Sequence, residues 1–184
     1  MLPRYALRLC VDRAAGFGHV ALMPFIPRIE NAEADRILIA SLPGCDFADA
    51  FCTELPIPPP DARPLSAELF ASPPPWISAL MNTRNAIMRP FGYKAPKIQR
   101  GFPVLSESPT EVVSGLNDRH LDFRALFKVE ELQPQRSRIT LTTAVATHNV
   151  TGRLYLTAIL PFHKLIVRDL LRRLALRLLA EKAA

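Results

Sequence analysis

Cysteine is scarce and badly spaced for the chemistries that cysteine-rich chains use. Cys10, Cys45 and Cys52 are an odd number with no CxxC pair, which excludes a disulfide framework and a zinc site built on thiolates. A reducing compartment fits such usage, with the cysteines acting as small buried hydrophobes in a cytoplasmic protein. Long apolar runs are missing too, and none approaches the roughly 18–20 residues of a spanning helix. The motifs GxSxG, HExxH, GxGxxG and the P-loop are all absent, so no metal or cofactor is expected. Cysteine nucleophiles need a nearby base, and no histidine lies close in sequence to Cys45 or Cys52.

Proline is plentiful instead. Eighteen prolines in 184 residues, against an ordinary share of roughly 5%, are concentrated before residue 110 and predict turns and short elements there. Hydrophobic residues at 49% and charged residues at 22% are those of one globular domain with a substantial core. The net charge of +6 admits an anionic partner without requiring one. Like charges never run beyond two in a row, so nucleic acid is not an expected partner. Residues 1–40 read as an N-terminal extension and entry segment, of which 1–22, ahead of Met23, read as spurious or dispensable; 41–184 read as the domain.

Along the chain, Ile37–Ile39 is a candidate short strand closed by the turn signal Leu42-Pro43-Gly44. Asp46–Leu55 is read as a strand, residues 56–64 as a stiff proline-rich connector, and Leu65–Phe70 as a helical turn. Ser72 as cap and Pro73–Pro75 predict a helix over Trp76–Pro90 with Trp76, Leu80, Ile87 and Met88, joined by Ala79 and Met81, as its buried stripe. After a basic loop (Lys94, Lys97, Arg100), Pro103–Ser106 and Glu111–Leu116 are strand candidates, and Asn117-Asp118 is a hairpin turn. RHLDFRALFKVE alternates: Leu121, Phe123, Ala125, Phe127 and Val129 face one way, with Leu126 the lone exception on the polar side. Arg138–His148 is rich in Thr and β-branched residues. Its face of Thr140, Thr142, Ala144, Ala146 and His148 is unusually small, leaving room for a close-packed helix or a cavity.

The longest periodic stretch, His148–Ala180, is a helix. At 100° per residue, Leu156, Leu160, His163, Val167, Leu170, Leu171, Leu174 and Leu178 share one side, and Lys164, Arg168, Asp169, Arg172 and Arg173 lie toward the other. Pro161 removes one internal hydrogen bond and should bend the first turns. The architecture these elements predict is α+β: an antiparallel sheet with a long C-terminal helix laid across it.

DFADAF, PPWISALMNTRNAIMRPFG, RHLDFR and THNVTGRLYLTAILPFHKLIVRDLLRR together make the chain resemble the DUF2867 family over about residues 42–175. That is a family of uncharacterised bacterial proteins placed with the START-like (SRPBCC) superfamily. The resemblance implies a helix-grip fold, with a curved sheet around the C-terminal helix and a cavity between them. It implies little chemistry, because that superfamily includes carriers, small-molecule binders and a few enzymes.

His163 is the only titratable group on the apolar helix face, either as a core histidine satisfied by a backbone carbonyl or neighbour, or as a ligand-facing group. His148, Asn149, Thr151, Gly152 and Arg153 make the strand-to-helix junction, where Asn149 or Thr151 caps the helix and Gly152 permits close approach. Arg153 and Tyr155 could donate to an acidic or carbonyl ligand. Asp122 and Arg124, with His120 beyond, read as the wet side of the sheet or as a headgroup site. Three functions follow as expectations. The first is a binder of a small apolar or amphipathic molecule. The second is a cyclase- or hydratase-type enzyme pairing His163 with Asp122. The third is a peripheral membrane or partner-binding module using the basic face of 164–182.

Overall fold

The computed structural model describes residues 25–71, 74–88 and 102–183. In chain order the elements are β1 (Glu30–Ala32), α1 (Arg36–Ala40), β2 (Phe47–Leu55), α2 (Ala62–Ala71), α3 (Pro75–Met88), β3 (Val104–Glu107), β4 (Glu111–Asn117), β5 (Leu121–Gln133), β6 (Arg136–Thr147) and α4 (Val150–Ala183). The strands form one antiparallel six-stranded sheet in the order β1-β2-β6-β5-β4-β3. Hairpins account for β4–β5 and β5–β6. The long-range event is the return of β6 to lie beside β2, closing a loop of about eighty residues between them and carrying the entropic cost of a distant pairing.

Alternation along β5 and β6 sorts residues between two layers. On one face Phe51, Leu55, Val112, Phe127, Val129, Ile139 and Leu141 pack with Val167, Leu170, Leu171, Leu174 and Leu178 of α4 and with Leu65 and Leu69 of α2. Every α4 position expected on the apolar side is buried or half-buried, and Lys164, Arg168, Arg172 and Arg173 are exposed. Arg168 nevertheless reaches the sheet edge: its guanidinium stands 5.1 Å from the Phe51 ring centroid and donates to Asn31 Oδ1 at 2.9 Å. Pro161 lies inside a helix that continues on both sides of it.

The opposite face is covered as well. Leu38 and Leu42 pack on Leu126, Ala144 and Ala146 in a second, smaller core. This accounts for the apolar Leu126 on a polar face, and for the small residues of β6, whose short side chains let α1 lie close. The small face therefore takes a close-packed helix, and any space beside α4 has another origin.

Three local expectations are corrected. Ile37–Ile39 is helical, because the Asp35 carboxylate accepts from the backbone N–H of Ile37 and Leu38, both at 2.9 Å, and starts α1 there. The edge strand lies earlier, at Glu30–Ala32. The expected connector is extended only to Asp61, which accepts from Arg63 N at 2.9 Å and opens α2 at Ala62; hydrogen bonding to the Arg63 side chain holds the Asp61 carboxyl down to about 2. Among the described side chains of α3, Ile77 is buried, Leu80 half-buried and Trp76 exposed, so Trp76 drops out of the expected stripe. Ser72, Pro73 and the basic loop lie outside the described residues, as do residues 1–24 and the side chains of Met81, Ile87 and Met88.

A curved antiparallel sheet with one long C-terminal helix across it is the α+β arrangement of a helix-grip fold. The phase of α1 is open to direct test. Leu38 is 4% exposed and its neighbour Ile37 82%. Leu38→Ala should cost about 2–5 kcal/mol and Ile37→Ser under about 0.5 kcal/mol in urea unfolding; equal effects would contradict α1 as described.

Candidate functional site

Register defines the face of the sheet that the helices cover, with α4 packed on β2 and β6 and α2 on β4 and β5. Phe47, Val145, Phe123 and Leu116 line up across β2, β6, β5 and β4, and so do Phe51, Leu141, Phe127 and Val112. Between these two large apolar rows runs a row of shorter side chains: Asp49, Thr143, Ala125 and Ser114. Period-two alternation puts all twelve on the α4 face. The middle row carries the shorter side chains, and Thr143, Ala125 and Ser114 in it are buried.

His163 stands at the Asp49 end of that row. Its Nε2 is 3.0 Å from Asp49 Oδ1, and its ring meets Phe47 edge-on with centroids 6.3 Å apart. The side chains are 21% and 15% exposed, so the pair is largely removed from water. The second oxygen, Asp49 Oδ2, is buried with no hydrogen-bond partner. An acceptor left unpaired in that setting costs free energy, and a donor placed there would recover it. Asp49 is the residue that sequence reasoning passed over. The available signal was its place on the Phe51 and Thr53 face of an extended β2, but nothing short of register could show that His163 lies above it.

Asp122 does not join this pair. Its position opposite Ala146 sends it to the α1 face, where it meets His148, with Oδ1 3.1 Å from Nε2. An acid–base pair of His163 with Asp122 is therefore ruled out by the alternation of β5. Arg124 lies on the same outer face and is used locally, donating to the Phe123 carbonyl at 2.8 Å. Tyr155 is half-buried and Arg153 exposed, eight and ten residues before His163 and so about 80° to either side of it on the helix.

The junction is built for close approach. Asn149 Oδ1 accepts from Gly152 N at 2.9 Å and caps α4, while Asn149 Nδ2 donates to the Arg119 carbonyl at 3.3 Å. His148 N donates to the His120 carbonyl at 2.9 Å. A Cβ on Gly152 would stand 2.1 Å from that same carbonyl oxygen, so only glycine lets α4 leave the sheet at this angle. His148 and Asn149 thus tie α4 to the β4–β5 turn.

Far along the outer face, Glu54 accepts from Arg138 Nη2 at 2.6 Å and also from Arg136. The hydrogen bond from Arg138 is the chief cause that holds the Glu54 carboxyl below its ordinary value. Burial pushes the Cys52 thiol up. Cys45 and Cys52 are both free. Among the described residues, no cluster of three or more His, Cys, Asp or Glu could hold a metal ion, and no helix is long and apolar enough to cross a membrane.

The profile of a family described as a protein of unknown function (DUF2867) matches residues 41–170, and the chain belongs to that family. No curated protein and no solved structure matches it.

The depressed Glu54 carboxyl has a pH signature. A carboxyl depressed in the folded state stabilises it above the unfolded value, and that stabilisation is lost as pH falls through the folded value. Glu54→Gln should therefore be less stable than wild type at pH 7, with the difference shrinking as pH drops below about 4. Melting temperatures across pH 3–7 that keep a constant difference would refute the assignment.

Proposed function

We propose that this chain is a START-like (SRPBCC) bacterial protein that holds a small, largely apolar molecule between its sheet and the first half of α4. The observation that carries this reading is the row Asp49, Thr143, Ala125 and Ser114, set between two rows of large apolar side chains and ending at the His163–Asp49 pair. Apolar walls supply most of the affinity in such sites, and a few fixed polar groups set orientation. Here the ligand's polar end meets His163 and Asp49, with Tyr155 and Arg153 flanking the approach. The unpaired Asp49 oxygen favours a hydroxyl or amine donor over a carboxylate. Free thiols at Cys45 and Cys52 suit a reducing compartment, the cytoplasm.

Pairing of His163 with Asp49 also favours a second reading, acid–base catalysis of the cyclase or hydratase kind. A carboxylate on Nε2 orients the ring and leaves Nδ1 to take or give a proton.

Native mass spectrometry of the protein purified from its own host tests the first reading. Wild type should carry a small apolar molecule, and Ala125→Leu, which adds bulk to the row of short side chains, should lose it while keeping its far-UV circular dichroism. Wild type that arrives empty, or Ala125→Leu that stays loaded, would overturn it. Conversion of the extracted molecule by wild type but not by His163→Gln would establish the second.

A further inference from the structure

The first four turns of α4 are apolar on both sides. Toward the sheet lie Leu156, Leu160 and His163. On the opposite side Val150, Leu154, Phe162 and Leu165 are 44–71% exposed, with Ala158 and Pro161 exposed among them. At 100° per residue this second stripe is centred roughly 180° from the sheet-facing one, so no rotation of α4 could bury both against the sheet. Helices apolar all round are normally covered all round. The pattern also changes along the helix: from Arg168 onward the outer side carries Arg168, Arg172 and Arg173, with Leu176 exposed among them.

Charge specifies the covering. No acidic residue occurs between Glu131 and Asp169, so the whole exposed stripe lies in a stretch whose only charges are positive. Arg153, Lys164 and Arg172 flank it, are exposed, and take part in none of the ion pairs found among the described residues. Arg173 and Arg177, by contrast, are already paired with Asp169, Glu68 and Glu181. From Val150 to Leu165 the stripe is about 23 Å long, too short to cross a bilayer of ~30 Å and suited to lying in its plane.

We propose that this outer face of α4, Val150–Leu165, docks on an anionic lipid surface. Leu154, Phe162 and Leu165 enter the boundary between headgroups and acyl chains, and Arg153, Lys164 and Arg172 meet the phosphates. This differs from a purely basic face at 164–182: the apolar residues supply the insertion, and the cations select the lipid.

Flotation of the full chain with vesicles of phosphatidylcholine, with and without phosphatidylglycerol, tests the proposal. Wild type should float with the anionic vesicles, less with the neutral ones, and less still as salt rises. Leu154→Ser/Leu165→Ser should lower binding by about tenfold or more, since each leucine withdrawn removes most of a buried side chain's transfer energy. Lys164→Glu/Arg172→Glu should abolish the preference for the anionic vesicles. All of these positions are exposed, and circular dichroism should confirm that the variants keep their fold. Failure of wild type to float, binding indifferent to lipid charge, or full binding by Leu154→Ser/Leu165→Ser would overturn the proposal. So would self-association in light scattering that Leu154→Ser/Leu165→Ser abolishes, because it would assign the face to a second copy of the chain.

Discussion

The rest of the structure depends on the pairing of β2 with β6. Nine residues of β2 run antiparallel to β6 from Phe47↔Val145 to Leu55↔Ser137 without a break. Because side chains alternate strictly, this one register decides which residues meet α4 and which meet α1. A slip by one residue would move Asp49, Phe51 and Leu55 to the α1 face and place Ala48, Ala50 and Cys52 under α4. The large helix would then lie over small side chains and the five-residue α1 over the bulky ones.

From that register the two halves of α4 acquire different roles. Its C-terminal half sits over Phe51, Leu141, Phe127 and Ile139 and is sealed by Leu171 and Leu174. Its N-terminal half is less deeply packed, and within it only Gly152 is fully buried. The two ends of that half are held by specific polar contacts. Asn149 and the close contact of Gly152 with the His120 carbonyl fix the start, and the His163–Asp49 bond fixes the fourth turn. A half-exposed segment clamped at both ends can admit a molecule beneath it without losing its position, which is how the burial pattern supports the proposed ligand site.

Much of this was legible without coordinates, for physical reasons that differ by element. The sheet-facing side of α4 was readable because eight apolar or titratable positions repeat at helical spacing over more than twenty residues. β5 was readable from its alternation, and the junction from Asn149 and Gly152, whose capping and close-approach roles are local chemistry. Residues 30–40 were misread because a five-residue helix and a three-residue strand are too short to carry a period, and the capping action of Asp35 outweighed the β-branched Ile37 and Ile39. The partner of His163 was not legible at all. Asp122 and Asp49 are both acidic residues on strands, and only the order of strands and the parity of each position distinguish the one above which His163 sits. The small face of β6 was seen correctly as making room, but its occupant is α1.

A double-mutant cycle on Asp49 and His163 tests the central geometry most directly. Asp49→Asn, His163→Gln and the combined variant would be unfolded in urea at neutral pH beside wild type. Contact between the two side chains predicts a coupling energy of about 0.5–3 kcal/mol, with the effects of the single variants far from additive. Additive effects, with coupling near zero, would contradict the placement of α4 across the Asp49 row and the site built on it.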